Sequence, residues 1–475
     1  MTTEEQDSSR IDLLEKKEPL TTILVMSSGP FLSQITSALY GVISTIYVSK
    51  AVGQEGMTAI STFDNFDSLG RAFGFLFNVA ASSVISSLFG EKKGIAAGQL
   101  FVDLIRISLL CSIFVPILFL PLTVPVAKWF GAPDPIIQLG KEYVTPILIG
   151  AFIPSLFLLS CGALQAEGRT WLYAVIQVSS FLFNMLIFNP LFLFVFKFGI
   201  KGASLATCFS EFIPAIGILY CFFKGYFNIK PKISYFFNPL SDQTWKAIKI
   251  GSSQFIYQLS IIFPGIVMRK LLGLSCSTPQ IYNDVMAAFN AILKMYLIIN
   301  SVSGSMIIGL VPSAGYAFGA KQYKRVLKLL IHTLWISMGW CLICMIFTIG
   351  FPEFCSRLFS QSPTYLSWAI VITRNSTILA FTTPVSLIMQ ALLQAMQCGG
   401  RAAIVGILSQ LVPVPLFGLI LYYTDKHNPG RMFYVYSLRQ LFSAIASIPF
   451  GITKLLSLIE SANESEESEN EPKEL

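Results

Sequence analysis

Phe318-Gly319, with Lys321 two positions on, repeats Phe89-Gly90 with Lys92 at an offset of 229 residues. The same offset relates Met286 and Ala288 to Met57 and Ala59, Phe359 to Phe130, and Ala380-Phe381 to Ala151-Phe152. It also relates Leu393-Gln394-Ala395 to Leu164-Gln165-Ala166. One offset that holds without a gap over roughly 110 residues marks a duplicated chain, in which both halves bury their apolar surface by one plan. The second copy centres on Leu310–Arg325, LVPSAGYAFGAKQYKR. There an apolar, helix-like run that begins near Tyr282 meets a basic turn, and another apolar run follows. The stretch reads as the end of a membrane helix at a positively charged interface.

The composition places that helix in a bilayer. The chain is 54% hydrophobic and 12% charged, where soluble domains carry about 25% charged residues. A soluble protein this apolar would expose large sticky patches. A span needs about 20 apolar residues, so the 475 residues hold about a dozen spans with short loops. Apolar runs mark them at roughly 22–48, 57–88, 99–127, 144–165, 170–196 and 202–223. In the second half they fall at roughly 246–268, 283–317, 325–350, 366–396, 402–423 and 432–453. The expected fold is an all-α membrane protein of twelve transmembrane helices in two six-helix lobes related by a parallel internal repeat. The expected divisions are an N-terminal segment 1–20, an N-lobe 21–224, a linker 225–244, a C-lobe 245–454 and an acidic, disordered tail 455–475.

Lys and Arg set the orientation. Lys224, Lys230, Lys232, Lys246 and Lys249 cluster between the halves, and Lys321, Lys324, Arg325 and Lys328 follow the central stretch. Both groups fall on one side if both termini are cytoplasmic, and the plasma membrane is the default residence. Parallel repeats of this kind are a signature of secondary transporters, whose substrate cavity lies between the repeats near the midplane.

Several chemistries are excluded. No Gly-x4-Gly-Lys-Ser/Thr phosphate loop occurs. His332 and His427 are the only two histidines, which leaves no histidine metal cluster and makes an enzyme improbable. The nine cysteines lie mostly in apolar runs and read as free thiols. The surplus of basic charge is loop charge on one face, so nucleic acid is not an expected partner. The expected partners are a small organic substrate and the lipid bilayer, the expected state is a monomer, and no cofactor is called for.

The motifs carry a family resemblance. PSAGYAFGAKQYKRV resembles the eighth-helix signature of the multidrug and toxic compound extrusion (MATE) transporters, especially their DinF-like branch. NMLIFNPLFLF followed by FGIKGASLAT, Asn184 to Thr207, resembles that family's passage from the fifth helix to the sixth. ALLQAMQCGGRAAIVGILSQLVPVPL resembles its tenth-to-eleventh, and ISTIYVSKAVGQEGMTAIS the end of its first helix. The last helix, with YSLRQ, matches poorly. The resemblance implies two six-helix lobes in a V and export of organic, often cationic, compounds in exchange for protons or sodium. Two alternatives stand beside it: a flippase for lipid-linked substrates, and a receptor or scaffold that does not transport.

The departures from the family are chemical. Ser44 and Asn189 stand where many DinF-like members carry Asp, Asn184 is one residue out of phase with the family Asn, and Thr207 is kept. The seventh and tenth helices offer Gln254, Gln258, Thr382 and Thr383 in place of carboxylates.

Charges within spans cost roughly 2.5–3.5 kcal/mol each and need a partner or water. Asp64, Asp67 and Arg71 share a face of the second helix. They read either as an internal Asp67–Arg71 pair or as a cavity wall that receives a cation. In the repeat, Lys294 corresponds to Asn65 and Asn300 to Arg71, so Lys294 is expected across the cavity from the acids. The bland reading has Lys294 pairing locally or snorkelling. Asp103 and Arg106 read as a structural pair, and Arg374 and Arg439 have no local partner. Glu211, four residues after Thr207 and deep in the sixth helix, is the expected titratable residue of the first lobe, with Thr207, Asn184, Asn189 and Ser44 as its polar neighbours.

Overall fold

A computed structural model describes residues 13–129, 133–426 and 428–470. The first half comprises α1 (Pro19–Gly90), α2 (Gly94–Trp129), α3 (Asp134–Ile149), α4 (Phe152–Ala166), α5 (Thr170–Phe183) and α6 (Ile200–Phe223). The second comprises α7 (Asp242–Ser275), α8 (Pro279–Ile299), α9 (Ser301–Gly319), α10 (Tyr323–Gly350) and α11 (Pro352–Arg357). It continues with α12 (Pro363–Thr377), α13 (Thr383–Ala395), α14 (Gly399–Gln410), α15 (Pro413–Thr424), α16 (Pro429–Met432) and α17 (Tyr434–Asn470). Gly53 divides α1 into two spans: its φ of 74° and ψ of −166° suit a residue without Cβ. Among the described residues ten helical stretches are long and apolar enough to cross a bilayer, eleven when the pair α3 and α4, bent by 49°, counts as one. The part of α1 before Gly53 is the twelfth, so the fold is two six-span lobes.

The breaks obey the repeat. The bend between α3 and α4 falls at Gly150–Ala151, and its mate is Leu379–Ala380, where α12 passes through a 3-10 turn into α13. Span five widens at Asn184 into π turns, Asn184–Phe188 and Pro190–Val195, since Pro190 removes an N–H and crowds the preceding turn. The mate of Asn184 is Pro413, which opens α15. The repeat is broken at one place near the cleft: span eight is interrupted at Asn300, between α8 and α9, while α1 runs unbroken through Arg71.

The lobes meet at the end of the bundle that carries the linker. A Cβ on Gly90 would lie 2.2 Å from the Tyr316 carbonyl, and one on its mate Gly319 would lie 2.2 Å from the Ser87 carbonyl. Only glycine allows the two backbones to approach that closely. Ser83 Oγ donates to the Gln394 carbonyl at 2.7 Å across the same seam. Beneath it, Leu13 and Leu14 pack with Met26 and Tyr316, and Arg325 Nη2 donates to the Leu13 carbonyl at 3.3 Å and to Thr22 Oγ1 at 3.0 Å.

Farther along, the faces that meet at the seam separate. At 3.6 residues per turn, the contact face of α1 continues through Ser68, Asn65 and Thr58, and that of α8 through Leu297, Lys294 and Asn290. Both stripes are exposed or half-exposed. That on α1 is polar, unlike the outward face of α2 with Leu110, Ile113, Phe114 and Ile117, which suits lipid. The molecule is a V, closed at the linker end and open at the other.

The linker is anchored to the N-lobe. Glu167 Oε1 accepts the Ile229 N–H at 2.6 Å, and its other oxygen pairs with Arg169 at 2.8 Å. Asp103, fully buried, accepts the Ser241 N–H at 3.0 Å and the Thr244 hydroxyl at 2.8 Å, satisfying donors at the start of α7. Arg106, 3.4 Å from Asp103, donates to the Asn238 carbonyl at 2.8 Å.

Two boundaries differ from the sequence expectation. Span four begins at Asp134, ten residues before the expected start, because Pro133 and Asp134 open a helix whose first turns are amphipathic. The last helix runs on to Asn470, through the segment expected to be disordered. No glycine or proline interrupts it between Gly451 and Pro472, and Glu, Ala, Ser and Lys are tolerated helix residues.

Candidate functional site

Three spans of the N-lobe bring a charged cluster together inside the lobe. Arg71 of α1 holds two carboxylates: its Nη1 lies 2.7 Å from Glu211 Oε1 on α6, and its Nε lies 3.3 Å from Asp67 Oδ2 one turn before it. Glu211 is 6% exposed. Tyr40, from the first part of α1, lies beside the pair with Thr207 and Ser44 near its hydroxyl, and its ring stacks on Phe181 at 5.3 Å. Two carboxylates thus share one guanidinium. With both ionised, one negative charge in the cluster is uncompensated, and a proton or a cation meets it.

The other residues expected here fall in separate places. Asn184 Nδ2 donates to Ser210 Oγ at 3.2 Å, and Asn189 Nδ2 donates to Asn184 Oδ1 at 2.5 Å. This chain of amides reaches α6 at Ser210, next to Glu211 but not bonded to it. Asn189 Oδ1 is buried without a partner. Lys294 is exposed on the cleft stripe of α8 and forms no ion pair among the described residues, so the one cation paired with the acids is Arg71 of their own lobe. Asn300 donates to the Tyr296 carbonyl at 2.9 Å. The side chain of Asp64 lies outside the described residues.

The repeat explains the cluster's plan. The mates of Asp67, Arg71 and Glu211 are Tyr296, Asn300 and Gln440. They too come together: Gln440 Nε2 donates to Tyr296 OH at 3.2 Å, and Tyr296 OH donates to the Ser376 carbonyl at 2.5 Å. One polar triad is built twice, with charge in the first lobe and neutral groups in the second. Sequence reading missed this, although the 229-residue offset extended to these positions contains it. It also missed Tyr40, which no spacing marks. Among the described residues no group of three or more His, Cys, Asp or Glu is placed to hold a metal ion.

Comparison with known proteins accords with this architecture. The MatE family model matches residues 31–191 and 280–417, one segment in each lobe. The multidrug export protein MepA of Staphylococcus aureus is 23% identical over 416 residues, covering 85% of this chain and 89% of MepA. Protein DETOXIFICATION 44, chloroplastic, of Arabidopsis thaliana is 22% identical over 446 residues, covering 84% of this chain and 76% of its own length. Among solved structures, an outward-facing multidrug resistance MATE transporter superposes with a TM-score of 0.86 at 21% identity, covering 94% of this chain and 98% of its own. A Pyrococcus furiosus transporter of the MOP superfamily, described as having a binding pocket of reverse polarity, gives 0.86 at 22% identity over the same shares. By fold the chain is a multi-pass, all-α membrane protein. It belongs to the MatE family of multidrug efflux transporters.

Proposed function

We propose that this chain is a secondary active transporter that exports small organic solutes, cationic ones foremost, by exchange for protons. The observation that carries the proposal is the sharing of Arg71 between Asp67 and Glu211 inside the N-lobe. In one state Glu211 is held by Arg71 and the cluster carries spare negative charge that draws an organic cation into the cleft. A proton taken up by Glu211 frees Arg71 to pair fully with Asp67, removes that charge and expels the cation. The two states differ in their affinity for both ligands, as exchange requires. Tyr40, Thr207 and Ser44 supply a hydroxyl path from the cleft to the pair. The Asn184–Asn189 amides hold span five against α6, and Lys294 across the cleft repels a cation that remains bound. The linker end is the cytoplasmic end, both termini with it, in a monomer of the plasma membrane. The export role of MepA and the absence of a phosphate loop support the same reading over an energy-consuming pump.

The test is tetraphenylphosphonium flux into proteoliposomes of the full chain. Accumulation driven by an imposed pH gradient, collapsed by a protonophore and indifferent to a sodium gradient, is expected. Flux driven by sodium alone would replace the proton. Absence of flux under any gradient, with lipid-linked substrates moved or nothing moved, would overturn the reading in favour of a flippase or a scaffold.

A further inference from the structure

The second lobe carries a cluster of the opposite character. Arg439 on α17 is half-buried, and its Nη1 donates to Gln410 Oε1 at 2.8 Å. Its guanidinium stands over the Tyr436 ring at 5.8 Å. No carboxylate among the described residues pairs with it. A guanidinium has five N–H donors and no acceptor, so most of its donors point to no protein partner.

Further donors surround it. Gln410 Nε2 donates to Tyr257 OH at 3.4 Å, which leaves the Tyr257 proton free to be given elsewhere. Gln390 is 4% exposed, and its Nε2 has no hydrogen-bond partner. The point where a Cβ would stand on Gly406 is 3.4 Å from Tyr257 Cβ and 3.5 Å from Gln390 Nε2, so the unpaired amide lies at the main-chain end of Tyr257, one helical turn of α14 before Gln410. Buried donors without acceptors are costly and are met by a ligand or water.

The cluster faces the interior of the molecule. Tyr434, Leu441, Ile445, Ile448 and Ile452 form the exposed, lipid-suited stripe of α17, and at 100° per residue Arg439 projects about 150° away from it. The repeat mates of Arg439 and Gln390 are Ser210 and Cys161, so the arrangement belongs to the second lobe alone. The spans of that lobe also carry Arg269, Lys270, Lys294 and Arg374.

We propose that Arg439, Tyr257 and Gln390 form a binding site for an anionic oxo group, a carboxylate, sulfonate or phosphate, so that this transporter takes solutes bearing a negative group on the second lobe. The inference deepens the exporter reading and rests on it for the cleft through which the solute enters. The planar guanidinium takes two oxygens of the group side by side, while the tyrosine hydroxyl and the amide take the third or the same oxygens from the side. A solute with a positive group as well spans the cleft, with its cation toward Asp67 and Glu211.

The experiment is calorimetric titration of the full chain in phosphatidylcholine nanodiscs with p-toluenesulfonate and with its neutral analogue p-toluenesulfonamide. Wild type is expected to bind the sulfonate and not the amide. Arg439→Gln is expected to weaken sulfonate binding by roughly tenfold or more, and Tyr257→Phe by a few-fold, with Arg374→Gln, on an exposed side chain, unchanged. Arg439→Lys, which keeps the charge without the planar fork, is expected to fall between wild type and Arg439→Gln. Competition by phosphatidylglycerol in the discs assigns the group to a lipid headgroup; its absence assigns it to a soluble solute. Equal binding of sulfonate and sulfonamide, or sulfonate binding unchanged in both Arg439→Gln and Tyr257→Phe, would overturn the proposal. Tetraphenylphosphonium flux measured alongside separates the two readings. Flux without sulfonate binding removes this site and leaves the exporter, and sulfonate binding without flux does the reverse.

Discussion

Gly90 and Gly319, 229 residues apart, stand back to back, each with the other helix's backbone carbonyl 2.2 Å from where its Cβ would be. The closed end of the V depends on that contact. Neither glycine adopts a left-handed backbone there, so the requirement is for space alone.

Gly319→Ala therefore destabilises the closed seam by about 1–3 kcal/mol, the usual cost of overpacking, and opens the linker end. Ser86, fully buried beside Gly315 in this state, supplies the reporter. A cysteine at position 86 is expected to resist N-ethylmaleimide in an otherwise wild-type chain and to react readily once Gly319→Ala is added. Equal resistance in both would mean that the seam tolerates a methyl group.

Arg71 and Glu211 form the second relationship that can be tested by stability alone. Arg71→Gln leaves two carboxylates without their cation and is expected to cost about 3 kcal/mol. Adding Glu211→Gln removes one of the stranded acids, so the double variant is expected to recover more than about 1 kcal/mol of that loss. Thermal unfolding in detergent measures the cycle, and strict additivity would mean that the two residues do not interact.

Asp103 anchors the start of α7 to the first lobe. Asp103→Ala is expected to cost about 1 kcal/mol, as the loss of a helix cap does, and to loosen the linker. Faster cleavage by trypsin after Lys232, which is exposed on the linker, is the readout. An unchanged digestion rate would show that Glu167 and Arg169 hold the segment without help.

The two lobes, the helix at Leu310–Arg325 and the Asp67–Arg71 spacing were legible because each rests on a periodicity or an offset that survives in one dimension. The Arg71–Glu211 contact was not, since it joins α1 to α6 across 140 positions with no spacing rule to link them. Glu211 was therefore read as a buried acid with the hydroxyls and amides of Thr207, Ser44, Asn184 and Asn189 as neighbours, and the structure gives it a guanidinium. The break at Leu379–Ala380 was visible in outline as the mate of Ala151, but a match of small apolar residues does not say that a helix bends there. Lys294 was expected to answer the acids across the cleft. It forms no ion pair among the described residues, and Arg71 meets Asp67 and Glu211 from within their own lobe.

Whether Glu211 carries the proton is decided by proton-driven flux in its variant. Proteoliposomes of wild type are expected to accumulate tetraphenylphosphonium under an imposed pH gradient. Those of Glu211→Gln, which keeps shape and hydrogen bonding but takes up no proton, are expected to bind the cation and lose at least about 90% of the gradient-driven flux, as the loss of an essential proton carrier does. Gradient-driven flux that persists at the wild-type rate in Glu211→Gln would contradict the account.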